Sequence, residues 1–75
     1  MKAEYEDYYQ KIGLNIAYYR RLADISQDVL GEKLKIDQTH VSKIENARVG
    51  ISLDMLFDIA MVLDVEPYKL LQFRD

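Results

Sequence analysis

The 75-residue chain contains no cysteine and only one histidine, His40. Without cysteine it can form no disulfide framework, no thiolate zinc site and no thiol nucleophile, and a reducing compartment is permitted. A single histidine without cysteine does not supply the clustered ligands that zinc or copper sites use. We therefore expect no metal and no cofactor, and stability has to come from the packing of side chains.

Long apolar runs and catalytic motifs are also missing. No apolar stretch approaches the ~20 residues that a membrane span needs, and the N-terminus is acidic where a signal peptide is basic and then apolar. The chain has no Gly-rich phosphate loop and no recognisable nucleophile motif. We expect one small cytoplasmic domain over residues 1–75 that is not an enzyme and has no evident small-molecule substrate.

Negative charge is concentrated at the two ends of the chain. The formal net charge is -3, but residues 11–50 carry seven Lys or Arg against five Asp or Glu, a net charge of +2. Residues 1–10 have a net charge of -2 and residues 51–75 a net charge of -3. Nucleic-acid binding depends on positive surface, so this asymmetry weakly favours a binding face in the middle of an acidic body.

Helical periodicity is the main pattern present. Apolar residues spaced by four, three, four and three predict a helix over about residues 4–23, whose first part, about residues 4–11, extends the N-terminus. Ser52 can cap a later helix with a buried stripe, and Pro67 suits the first position of a last helix from Tyr68 to about Phe73. The two stripes are formed by Tyr5, Tyr9, Ile12, Ile16 and Tyr19, and by Leu53, Leu56, Ile59, Ala60 and Leu63.

Between these helices the sequence predicts two short helices joined by a tight turn. Ser26 can cap a helix from Gln27 to about Leu34, and Asp37 can cap the next, from Gln38 to about Asn46. At about 100° per residue, the Val41/Ile44 seam of the second helix faces inward and its opposite face is polar. This order and spacing are those of a helix-turn-helix whose second helix enters the major groove of DNA. We expect an all-α domain of five helices.

The exposed face of the predicted second helix offers groups that read base edges. A glutamine pairs with adenine, a lysine with guanine, and a threonine methyl contacts thymine. Other polar residues near the ends of the two helices can contact phosphate. An arginine on the first helix can form a bidentate ion pair with a carboxylate of this unit and so hold the two together. Taken singly, each base-reading candidate is better explained as ordinary helix surface, but their combination on the exposed side of the second helix of a short-turn pair favours DNA. The base-reading candidates are Gln38, Thr39, Ser42 and Lys43; the phosphate or flanking candidates are Gln27, His40, Asn46 and Arg48; and the ion-pair candidates are Arg20 and Glu45.

The chain resembles the lambda-repressor-like, Cro-type helix-turn-helix family over about residues 12–71. The resemblance implies five helices, with the third in the major groove of double-stranded DNA and the residue roles given above. The sequence departs from the family pattern at Gly31, where Ala is common, and at Lys35 and Ala47, where Gly is usual. The matching residues are Ile12, Gly13, Ile16, Arg20, Ser26, Gln27, Leu30, Leu34, Val41, Ser42, Ile44, Glu45, Leu53, Ile59, Ala60, Leu63 and Val65.

Domains of this family usually bind pseudo-palindromic sites as two-fold dimers, as small restriction-modification controller proteins and short phage repressors do. We therefore expect a homodimer that uses apolar side chains at the end formed by the last two helices. The candidates are Met55, Met61, Leu70, Leu71 and Phe73. A protein-interaction module, such as an antitoxin-like partner or an adaptor, remains the alternative, because the same helices can bury a protein surface and the acidic ends can select its partner.

Overall fold

The computed structural model describes residues 1–73 and, over that range, contains four α-helices and no strand. A 3-10 helix, Ala3–Tyr5, leads into α1, Glu6–Leu22. The helices α2, Gln27–Leu34, and α3, Gln38–Glu45, follow, and then α4, Leu53–Leu63. The predicted first helix therefore begins as a 3-10 turn, and the two short helices begin at the predicted residues.

Three helices begin at a side-chain oxygen that accepts a hydrogen bond from the backbone. Ser26 Oγ accepts from the N–H of Val29 at 3.1 Å, and Ser52 Oγ accepts from Met55 at 3.1 Å. Asp37 Oδ1 accepts from the N–H of His40 at 2.8 Å. Each cap satisfies a donor that the first turn of a helix leaves without a partner, so these residues set where α2, α3 and α4 begin.

Each helix is followed by a non-glycine residue in the left-handed region of backbone space. Lys35 ends α2 with φ 62°, Asp64 ends α4 with φ 56°, and Asp24 and Ala47 follow α1 and α3 with φ 61° and 57°. Glycine adopts this conformation without the steric penalty that a Cβ brings. The departures from the family pattern at Lys35 and Ala47 therefore fall on strained positions.

The third departure has a packing explanation. A Cβ on Gly31 would lie 2.7 Å from the carbonyl oxygen of Ile36, which is too close for a real contact. Ile36 is half-buried against the core and donates its N–H to Gly31 O at 3.0 Å. Glycine thus lets the turn of residues 35–37 fold back tightly onto α2, and alanine would push this turn away.

All four α-helices contribute to one core. Ile16, Leu30, Leu56 and Ile59 are fully buried in it, and Val41 and Ile44 of α3 face it as the sequence predicts. Among residues 1–73, no helix is long and apolar enough to cross a membrane, and no three His, Cys, Asp or Glu side chains are grouped to hold a metal ion.

The C-terminal end differs from the prediction. Residues Pro67–Leu71 form a 3-10 helix, so the expected fifth α-helix, and its extension to Phe73, are wrong. Buried Asn15 of α1 donates its amide to the carbonyl oxygens of Leu70 at 3.0 Å and Gln72 at 3.3 Å. These bonds hold the C-terminal segment against α1.

Candidate nucleic-acid interface

The polar side of α3 is the exposed surface of the α2–turn–α3 unit. Gln38, Thr39, His40 and Lys43 are exposed, whereas Ser42 is half-buried. Because residues 35–37 join α2 and α3 directly and the inner face of α3 is part of the core, the position of this surface is set by the fold.

A buried ion pair links α3 to α1. The Arg20 guanidinium contacts the Glu45 carboxylate through two bonds, from Nε to Oε2 at 2.7 Å and from Nη2 to Oε1 at 3.2 Å. Its remaining nitrogen, Nη1, donates to the carbonyl of Ile25 at 3.0 Å. The pair named from the sequence is therefore in contact, and it ties the end of α1 to the end of α3 with the bidentate geometry that arginine favours.

The ion pair extends to the surface through two glutamines. Gln27 Nε2 donates to Glu45 Oε1 at 3.0 Å, and Gln38 Nε2 donates to Gln27 Oε1 at 2.7 Å. The sequence predicts only a phosphate contact for Gln27, so its bridging position is a role that sequence analysis misses. No local pattern signals it, because the bonded residues are 18 and 11 positions apart in the chain.

The bridge leaves specific hydrogen-bonding groups free. A side-chain amide has two N–H donors and an oxygen that accepts two bonds. Gln38 therefore retains one N–H and its Oε1, and Gln27 retains one N–H. The Gln38 amide is held at the surface at the start of α3, and it retains one N–H donor and its acceptor oxygen.

The remaining candidates lie along α3 and just beyond it. Asn46 Nδ2 donates to the carbonyl of Ser42 at 2.9 Å and to its hydroxyl at 3.3 Å, so these two side chains are partly engaged with each other. Arg48 is exposed, and its backbone N–H donates to Lys43 O at 2.8 Å. The structure therefore gathers the eight proposed DNA-contacting residues at one unit, α2–turn–α3 with the loop that follows.

The proposed dimer residues differ in their exposure to solvent. Leu70 belongs to the C-terminal 3-10 helix and is fully buried in the core, so its assignment to an exposed interface is wrong. Met55 and Phe73 are half-buried and pack against the core, whereas Met61 and Leu71 are exposed. Only the last two remain fully available to a partner.

Comparisons with known proteins agree with this architecture. A helix-turn-helix family profile matches residues 16–70. The crystal structure of the restriction-modification controller protein C.AhdI from Aeromonas hydrophila is similar with a TM-score of 0.84 and 25% sequence identity, over 89% of this chain and 97% of that one. A hypothetical transcription factor, NHTF, from Neisseria has a TM-score of 0.84 and 30% identity, over 89% of this chain and 77% of its own. No curated protein matches the chain. The chain belongs to the lambda-repressor-like helix-turn-helix family of DNA-binding transcriptional regulators.

Proposed function

We propose that this protein is a sequence-specific transcriptional regulator that binds double-stranded DNA as a homodimer and acts by occupying a pseudo-palindromic operator. In this proposal α2 and α3 form the helix-turn-helix, and α3 lies in the major groove. The family assignment and the exposed polar side of α3 support this function.

The single observation that carries the proposal is the held amide of Gln38. Bidentate reading of adenine needs one acceptor for the adenine N6 amino group and one donor for N7. Gln38 retains this pair after bonding to Gln27. Because the bridge to Gln27 limits the conformations of the side chain, less conformational entropy is lost when the base is bound.

The neighbouring side chains complete the reading surface. Lys43 can donate to the O6 and N7 acceptors of guanine, and Thr39 can place its methyl against thymine or its hydroxyl against either base. Ser42 contributes less freely, because it is half-buried and bonded to Asn46. Base specificity is therefore assigned to Gln38, Thr39 and Lys43 first.

Backbone contacts fix the register of the helix on the duplex and carry no sequence information. The free N–H of Gln27 is available to a phosphate at the start of α2. Asn46, Arg48 and His40 lie at or near the two ends of α3, where phosphates flank a groove-bound helix. The buried Arg20 contributes no phosphate contact, because its nitrogens bond to Glu45 and Ile25.

The test is selection of binding sites from a random duplex library. The native chain is compared with a Gln38→Ala/Thr39→Ala/Lys43→Ala variant and with a Gln10→Ala/Lys33→Ala control. The control removes a glutamine and a lysine that are also exposed, on α1 and α2. All three chains are first shown to fold by circular dichroism.

We expect the native chain and the control to enrich the same pseudo-palindrome and the triple variant to enrich none. Native binding should also weaken steeply with added salt, because phosphate contacts release counterions. A folded native chain that enriches no sequence would refute the proposal in favour of a protein-interaction module. If the triple variant enriched the same sequence equally well, α3 would not be the helix that recognises the bases.

A further inference from the structure

A continuous apolar stripe runs along the solvent side of α4. Leu53, Phe57 and Met61 are 64%, 45% and 79% exposed, and each is four residues from the next. Residues at this spacing lie on one face of a helix. The adjoining face, which includes Leu56 and Ile59, is buried in the core. The apolar surface of α4 is therefore wider than the part that the core covers, which a helix needs only if the rest is covered as well.

One end of the stripe opens into an apolar groove. Leu53 lines this groove together with Tyr5 and Tyr8 of the N-terminal region and Leu71 of the C-terminal 3-10 helix. Tyr5 and Tyr8 stack at 6.2 Å between ring centroids, and Tyr8 stacks on Phe73 at the same distance, so the aromatic wall is ordered by its own contacts. The other end of the stripe is Met61, the most exposed large apolar side chain among residues 1–73.

The stripe and groove together are large for an exposed apolar surface. Their six side chains, Tyr5, Tyr8, Leu53, Phe57, Met61 and Leu71, are 42–79% exposed. At ~150 to 250 Å² for a large side chain, they present roughly 600 Å². Patches of this size on soluble proteins mark interaction sites, and a standard interface buries about 800 Å² on each partner. The patch supplies about three quarters of that area, and polar residues around it can supply the rest.

We propose that this surface is covered by a second copy of the chain, with the two α4 helices antiparallel about a two-fold axis at Phe57. The inference rests on the homodimer of the proposed function and names its interface. A two-fold interface must be self-complementary. Because Leu53 and Met61 are equally spaced on either side of Phe57, the axis brings Phe57 against its counterpart and Met61 of each copy against Leu53 of the other.

The two ends of the stripe have complementary shapes. Met61 projects from α4, whereas Leu53 forms part of the groove with Tyr5, Tyr8 and Leu71. The two-fold axis therefore inserts each Met61 into the groove of the partner. Methionine is suited to this position, because its unbranched thioether adapts to irregular gaps and makes favourable contacts with aromatic rings.

The charges beside the stripe give the interface a distinctive salt dependence. Asp54 and Asp58 lie on the same flank of the stripe, at helix angles of about 100° and 140° when Leu53 is placed at 0°. A two-fold axis perpendicular to α4 keeps them on one side, so four carboxylates gather at one edge of the dimer. Salt screens such repulsion. Dimerisation should therefore strengthen with salt, whereas DNA binding weakens.

The first test is sedimentation of the native chain and three variants across a concentration series. Met61→Lys is expected to raise the dimer dissociation constant about 100-fold, because it places a charge in the partner's apolar groove at two symmetric sites. Leu22→Lys is the matched control, because Leu22 is a similarly exposed apolar residue on α1. Asp58→Asn is expected to strengthen dimerisation a few-fold at low salt. A native chain that stays monomeric at hundreds of micromolar, or a dimer broken by Leu22→Lys but not by Met61→Lys, overturns the proposal.

The second test fixes the geometry and uses the absence of native cysteine. Phe57→Cys should form a disulfide between copies, because its position lies on the axis. Met61→Cys alone should form no such disulfide. The two copies of position 61 are eight residues apart along the direction of the helices, which is about 12 Å. Mixing Met61→Cys with Leu53→Cys should restore a cross-link. Cross-linking of Met61→Cys to itself would indicate parallel helices and refute the arrangement.

These outcomes are separable from those of the DNA-binding proposal. A folded Met61→Lys monomer retains α3 and should still prefer its half-site over random duplex, with loss of the palindromic preference. If the native chain dimerises as proposed but enriches no DNA sequence, the interface stands and the proposed function fails. If it enriches a site but resists every α4 variant, the interface fails alone.

Discussion

Gly13 of α1 packs directly against the backbone of Glu45 at the end of α3. A Cβ at position 13 would lie 2.8 Å from the carbonyl carbon of Glu45 and 2.9 Å from the carbonyl oxygen of Ile44. This close approach of two backbones puts Arg20, two turns further along α1, within reach of the Glu45 carboxylate. The glycine and the ion pair therefore act together in setting how α3 is held.

Gly13→Ala should destabilise the protein. The clash is with backbone, which yields less easily than a side chain, and overpacking of this kind costs about 1–3 kcal/mol. Over most of this range the cost exceeds the ~1 kcal/mol that alanine gains over glycine within a helix. Urea unfolding measures the effect. Gly50→Ala is the control, because its Cβ would meet atoms no closer than 3.7 Å. Equal stability of the two variants would contradict the close approach.

Removing one partner of the buried ion pair should be far more costly than removing an exposed one. Arg20→Ala leaves the Glu45 carboxylate, whose side chain is 5% exposed, buried without its counter-charge, which costs about 3–5 kcal/mol. Lys11→Ala breaks the exposed pair with Asp7 and should cost under about 1 kcal/mol. Chemical denaturation of both variants gives the comparison, and a similar loss in each would show that the buried pair contributes little.

Lys35→Gly should stabilise the protein, which is the reverse of the usual effect of glycine. The backbone of Lys35 is left-handed, with φ 62°. Glycine has no Cβ to clash in this conformation, so the substitution recovers about 1 kcal/mol. Lys33→Gly, two residues earlier and inside α2, should lose about 1 kcal/mol. Thermal unfolding of the two variants should therefore give midpoint shifts of opposite sign. A lower midpoint for Lys35→Gly would argue against the left-handed end of α2.

Asn15→Ala should free the C-terminal segment selectively. The variant loses the bonds to Leu70 and Gln72 and leaves a buried carbonyl without its partner, at about 1–3 kcal/mol. Amide exchange of Lys69, which donates to Glu66 O at 3.0 Å, should accelerate more than that of α2 or α3. Asn46→Ala removes an amide whose bonds are exposed and should leave Lys69 exchange unchanged. Uniform acceleration throughout the chain would contradict a local tether.

Lys43 and Arg48 should differ in how their loss affects DNA binding. Lys43→Ala, which removes a base contact, should cost about 1–3 kcal/mol on the selected operator and relax preference at one base pair. Arg48→Ala, which removes a phosphate contact, should weaken binding to all sequences and lower the salt slope by about 1 per subunit. Titrations of operator and scrambled duplexes at several salt concentrations separate the two. The same preference profile for both variants would contradict these roles.

The helices of this protein could be predicted from local signals. The caps at Ser26, Asp37 and Ser52 lie within three residues of the N–H groups they accept from. The apolar spacing that turns Val41 and Ile44 inward spans a single turn. Such interactions depend on neighbours in the chain, so the sequence carries them directly.

Local sequence signals are therefore enough to establish the α-helical class, the residues at which α2 and α3 begin, and the polar side of α3. How α3 and the C-terminal segment are held depends on contacts between distant parts of the chain. The Gln38–Gln27–Glu45 bridge, the burial of Leu70 and the bonding of the C-terminal 3-10 helix to Asn15 join residues 11–55 positions apart. No periodicity or propensity encodes such contacts, because they form only when packing of the core brings separate helices together.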